Sequence, residues 1–93
     1  MLDVNSYFEG KVKSVAFKGE SLPATIGVIS PGEYDFDTSK YETITIVSGT
    51  LLVKFPDTDE WQSFSSGDSF EVAANKVFSV HSKGDTAYLC TYA

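Results

Sequence analysis

The feature that most limits how this chain can fold is the recurrence of short runs of β-branched and aromatic residues, each closed by Gly, Pro, Asp, Asn or Ser. Runs of this kind and spacing characterise all-β sandwiches and barrels. They fall at residues 11–17, 24–30, 34–36, 42–48, 50–55, 60–64, 69–73, 77–81 and 86–92. No window sustains apolar residues at i, i+3, i+4 and i+7, so helix is expected for at most one turn in the first few residues. Ser30-Pro31-Gly32-Glu33 puts proline and glycine where a tight turn needs them. Ser48-Gly49, Ser66-Gly67-Asp68 and Lys83-Gly84-Asp85 read as hairpin turns, and Pro56-Asp57-Thr58-Asp59 as a polar connection. With every connection short, the strands are expected to form one meandering or Greek-key system that closes on itself.

At 93 residues the chain has room for one core, so a single domain spanning 1–93 is expected and a two-domain enzyme is excluded. Thirteen acidic against seven basic side chains give a formal charge of −6, with no basic block. That balance repels nucleic acid and anionic membranes alike. The sequence contains no apolar run of membrane-spanning length, and Met1-Leu2-Asp3-Val4-Asn5 lacks the basic-then-apolar pattern of a signal peptide. A lone cysteine, Cys90, permits no internal disulfide, and a cytoplasmic setting is expected.

Alternation assigns faces. Glu42, Ile44 and Ile46 share one side of their run and Thr43, Thr45 and Val47 the other. Both sides are partly apolar, which points to a strand covered twice and hence to a homodimer. Tyr88, Cys90 and Tyr92 alternate with Ala87, Leu89 and Thr91 in the same way. Lys11 and Lys13 share a face with Val15 and Phe17, where lysines suit an edge strand that must resist pairing.

Gly32-Glu33-Tyr34 through Glu42-x6-Gly49, followed by Gly67-x5-Ala73-x-Asn75-x2-Phe78, has the skeleton of the two cupin motifs of a small jelly-roll barrel. The histidines of those motifs are missing: Thr38-Ser39-Lys40-Tyr41 precedes Glu42, and Phe78 stands at the second-motif histidine. Taken whole, the chain resembles the short cupin-like pyrimidine/purine nucleoside phosphorylase family. The matching segments are Tyr7-Phe8-x-Gly10-Lys11-Val12-Lys13-Ser14, Gly32-Glu33-Tyr34-x-Phe36, Thr45-x-x-Ser48-Gly49, Asp59-x-Trp61-Gln62 and Tyr88-Leu89-Cys90-x-Tyr92. One departure is Ala73-Ala74-Asn75, where the motif would place a Pro-Gly turn. The resemblance implies an all-β, single cupin-like jelly-roll barrel. It also implies phosphate-dependent cleavage of purine and pyrimidine nucleosides to free base and ribose 1-phosphate, with inorganic phosphate as co-substrate and no metal or other cofactor.

That chemistry passes through a transition state with positive charge on the sugar. It requires donors for phosphate, an acceptor for the ribose hydroxyls and a surface for the departing base. Glu42, facing inward as the equivalent cupin glutamate does, is the candidate catalytic carboxylate. Lys40, Thr45 and Ser48 are the candidate phosphate ligands, although each is also an ordinary loop or strand residue. Tyr34, Phe78 and Tyr88 are the candidate base-stacking aromatics, and the Gln62 amide is a further substrate contact. Stacking without reading hydrogen-bonding edges would accept purines and pyrimidines alike. His81 falls on the opposite face from Phe78 and reads as a surface residue, and Cys90 as a small buried apolar one. The competing reading is a metal-free cupin that binds a small sugar, nucleoside or metabolite without turning it over; phosphate dependence separates the two.

Overall fold

The computed structural model describes residues 2–93. Ten strands follow in order: β1 (Val4–Tyr7), β2 (Val12–Lys18), β3 (Pro23–Ile29), β4 (Gly32–Asp37), β5 (Glu42–Ser48), β6 (Thr50–Lys54), β7 (Gln62–Ser65), β8 (Ser69–Val72), β9 (Val77–Ser82) and β10 (Thr86–Tyr92). One 3-10 turn, Phe8–Gly10, sits between β1 and β2. Every pairing is antiparallel, giving a six-stranded sheet ordered β1-β2-β3-β10-β5-β8 and a four-stranded sheet ordered β4-β9-β6-β7. The first strand was not expected from the sequence, since Val4-Asn5-Ser6-Tyr7 carries only two β-forming side chains.

The jelly roll is made by two facing sheets, not by a continuous hydrogen-bonded cylinder. Side chains fill the space between them. Ile46 and Cys90 from the large sheet meet Leu51, Val53 and Val80 from the small one, all at most 2% exposed. Alternation thus resolves as a sandwich requires: on β5, Ile44 and Ile46 are buried while Val47 is 49% exposed.

The β5–β6 connection shows why it contains glycine. Gly49 has φ +99°, and a Cβ there would approach the Asp85 carbonyl oxygen to 2.7 Å. A side chain would therefore force apart the two ends that β5 and β10 bring together. The sequence's Ala73-Ala74-Asn75 departure has a comparable solution, because Asn75 itself takes φ +62°. Buried Thr38 holds that loop from across the sheet: its Oγ1 donates to the Ala73 carbonyl at 2.7 Å and accepts from the Lys76 amide at 3.0 Å. The Asn75 amide in turn donates to the Thr38 carbonyl at 2.8 Å.

One expectation is corrected. The strand bearing Lys13 is not an edge, because β1 pairs along it and β1 and β8 form the ends of the large sheet. The lysines are exposed on its outer surface, where they shield no free strand edge. Tyr34, expected among the base-stacking residues, is a buried core residue and does not line the cavity that opens between the sheets. Its hydroxyl lies 3.0 Å from the carbonyl oxygens of both Ser30 and Pro31, bracing the β3–β4 turn. Tyr34→Phe is therefore expected to lower stability by about 1 kcal/mol, the net value of a hydrogen bond. Urea unfolding checks this, and unaltered stability would remove the brace from the β3–β4 turn.

Candidate active site

A cavity of about 450 Å³ opens between the sheets. That volume is in the range of small-molecule sites. Its two sides differ in chemistry because they come from different strands.

Most of the polar lining belongs to the large sheet. Strand β10 turns Tyr88, Cys90 and Tyr92 inward, β2 contributes Ser14, and β5 contributes Glu42 opposite Tyr92. The Cys90 thiol donates to Glu42 Oε1 at 3.4 Å, and Tyr92 OH lies 3.0 Å from Thr25 Oγ1. Burial raises the Glu42 carboxyl above its ordinary value, and the Cys90 hydrogen bond only partly opposes this. Burial and the neighbouring Glu42 charge push the Cys90 thiol up to about 12, so it stays protonated and acts as a donor. Burial likewise lifts Tyr88 to about 12, with the Ser14 hydroxyl acting in the opposite direction, and raises Tyr92.

The other side is aromatic. Phe36 from β4 and Phe78 from β9 have ring centroids 5.8 Å apart. Phe78 continues to Phe70 of β8 at 6.2 Å, and Phe8 closes on Phe36 edge-on at 5.6 Å. Tyr7 and the exposed Asp35 and Asp37 complete the polar part of the lining. The chain has no arginine, and among the described residues no lysine lines the cavity. No group of three or more His, Cys, Asp or Glu is arranged among them to hold a metal ion.

The structure brings Glu42, Phe78 and Tyr88 of the expected site together in this cavity. It does not bring the other candidates there. Thr45 lies on the opposite face of β5 from Glu42, 2.7 Å from Ser69 Oγ on the outer surface. Ser48 is exposed at the far end of β5. Strand β5 begins only at Glu42, so Lys40 is an exposed loop residue with no face to share. Gln62 is exposed on the edge strand β7, outside the lining. His81 lies on the outer face of β9, its ring 6.3 Å from Trp61, over which Lys54 Nζ sits at 5.2 Å.

Ser14, Phe36 and Tyr92 were not singled out as site residues by sequence reasoning. The alternation of Val12 and Ser14 against Lys11 and Lys13 held a signal for Ser14, because only one of those faces can meet a core. For Tyr92 the signal was its shared face with Tyr88.

Comparison with known proteins places this cavity in context. The family model described as pyrimidine/purine nucleoside phosphorylase matches residues 2–92. The chain is 61% identical over 92 residues to the pyrimidine/purine nucleoside phosphorylase of Marinobacter nauticus, covering 99% of both chains. It is 55% identical to the protein of that name from Hahella chejuensis, again over 99% of both. Among solved structures, a protein of unknown function from Vibrio parahaemolyticus superposes with a TM-score of 0.95 at 43% identity, covering 100% of this chain and 99% of that one. An RmlC-like cupin from Shewanella frigidimarina superposes with a TM-score of 0.75 at 20% identity, covering 99% of this chain and 83% of that one, a likeness of fold alone.

Proposed function

Since the chain belongs to the pyrimidine/purine nucleoside phosphorylase family, we propose that it is a broad-specificity nucleoside phosphorylase, a pentosyltransferase that uses inorganic phosphate and no metal or other cofactor. The observation that carries this reading is a cavity of about 450 Å³ lined by the half-buried Glu42 carboxylate and by the rings of Phe36, Phe70 and Phe78. In the reaction a phosphate oxygen forms a bond to the anomeric carbon as the glycosidic C–N bond breaks. The electron pair leaves with the base nitrogen, and the proton of hydrogen phosphate ends on the base.

Glu42 accepts hydrogen bonds from the ribose hydroxyls and offsets the positive charge that develops on the sugar. Phe36 and Phe78 offer the base a π surface and no hydrogen-bonding edge, so the surface does not distinguish a one-ring from a two-ring base. This is the physical basis for broad specificity.

The protein is proposed to act as a homodimer in the cytoplasm. Val4, Val15, Ile26 and Leu89 form one continuous row of direct partners across the outer face of the large sheet. Val4 is 63% and Ile26 46% exposed on that face, an apolar surface that a second copy would cover. No helix among the described residues is long and apolar enough to cross a membrane.

The test is to incubate chelator-treated protein with purine and pyrimidine nucleosides, with and without phosphate, and to follow free base and ribose 1-phosphate. Release of both kinds of base only when phosphate is present is the expected result. No release under any condition would favour the reading of a binding module without turnover.

A further inference from the structure

Ser14, Gly27 and Tyr88 lie in one row across three strands of the large sheet: Ser14 is the direct partner of Gly27, and Gly27 of Tyr88. A Cβ on Gly27 would stand 2.7 Å from both Cζ and the hydroxyl oxygen of Tyr88, and 2.8 Å from the Lys13 carbonyl oxygen. The phenol therefore lies directly on the glycine, in space that no other residue type would leave free. This carries its hydroxyl across β3 towards Ser14. Both residues line the cavity, and Ser14 is only 4% exposed.

The Glu42 carboxylate and the Ser14 and Tyr88 hydroxyls thus lie apart in the cavity. Glu42 reaches Cys90, and Tyr88 is two residues further along the same strand, on the order of 7 Å. A ribose ring spans such a gap. At one end, a carboxylate matches hydroxyl groups that donate. At the other, hydroxyls that donate match an oxyanion, which only accepts. Tyr88 remains a neutral phenol at physiological pH, because burial holds its proton. With no lysine among the described lining residues, an anion entering the cavity would meet uncharged donors, of which Ser14 and Tyr88 are held as a pair by the row through Gly27.

We propose that Ser14 and Tyr88 form the seat of the phosphate co-substrate, and that Gly27 is a positioning residue that sets the place of the Tyr88 hydroxyl. The proposal rests on the phosphorylase reading above. It assigns phosphate to hydrogen-bond donors without charge, in place of the lysine expected from sequence.

The test varies phosphate at saturating nucleoside, then nucleoside at saturating phosphate, for the wild type and four variants. Tyr88→Phe and Ser14→Ala should each raise phosphate KM about ten-fold, as expected for one hydrogen bond to a charged acceptor, with nucleoside KM within about two-fold of wild type. Gly27→Ala should raise phosphate KM comparably. Added to Tyr88→Phe it should raise it no further, because the hydroxyl it displaces is already gone. A fall in the folded fraction would lower apparent kcat and leave this KM pattern untouched.

Unchanged phosphate KM in Tyr88→Phe and Ser14→Ala, with the wild type still phosphorolytic, overturns the seat and leaves the phosphorylase reading standing. Where the wild type shows no turnover, that reading fails, and titration of inorganic phosphate followed by 31P NMR decides the seat separately. Binding lost in both single variants then supports it. Binding unaffected by them, or absent from the wild type, overturns it.

Discussion

Glu42→Gln is expected to lower kcat by about 100-fold for purine and pyrimidine nucleosides alike, the usual effect of removing one charge-stabilising group from a preorganised site. The same substitution should make the protein more stable near neutral pH. The carboxyl is half-buried, and burial raises its affinity for a proton in the folded state. A group shifted in this direction favours the folded state fully below its unfolded pKa, and that contribution is lost as pH rises through the folded pKa. Above that window the wild type carries a charge in a partly desolvated position. The glutamine carries none and still offers Cys90 an acceptor oxygen. Melting temperatures should therefore be higher for the variant near pH 7 and converge with wild type near about pH 4. Activity retained in Glu42→Gln, or a melting temperature lowered near pH 7, would remove the carboxylate from the role given to it.

Phe78→Ala should have the largest effect on folding. Phe78 is 4% exposed, and its ring contacts Phe36 at 5.8 Å and Phe70 at 6.2 Å. Truncation removes a whole ring from a core that cannot close over the gap, a loss of about 3–5 kcal/mol. A domain of this size has on the order of 5–15 kcal/mol in total. The folded fraction that remains should show raised KM for both classes of nucleoside, because the base loses the same surface in each case. Denaturant unfolding followed by circular dichroism gives the stability, and Phe78→Leu separates the two effects by restoring volume without the π face. If Phe78→Leu matched wild type in KM, stacking on this residue would be disproved.

Much of the fold was legible because strand and turn signals are local. Ser48-Gly49-Thr50 and the run from Glu42 to Ser48 needed only propensity and alternation to be placed. The division into two sheets was not legible, since alternation is the same in a barrel wall and a sandwich layer. Nor was β1, whose place depends on pairing with β2 more than on its own side chains. At the site, Glu42 could be found from motif spacing, but alternation alone left its direction open because both faces of its run are partly apolar. Thr45 was expected on chemistry, and Lys40 on chemistry together with a shared face with Glu42 if the strand reached that far. In the structure the strand begins only at Glu42, which leaves Lys40 in the preceding loop, and one step along the pleat puts Thr45 on the outer face. Ser14 and Gly27 were hardest to see, because their meaning lies in a row across three strands distant in sequence.

The Thr38 clamp has a practical use. Residues 73–76 lie between β8 and β9, beside Asp37 and Phe78, both of which line the cavity. Their path is fixed from 35 residues away by the Thr38 Oγ1 bond to Ala73, with Asn75 supplying the left-handed turn. The exposed side chain at Ala73 has no part in those bonds, which use only its carbonyl. That makes this loop a place where bulk or charge can be introduced by an engineer to tune which nucleosides enter, while the scaffold that aims Glu42 is left as it is.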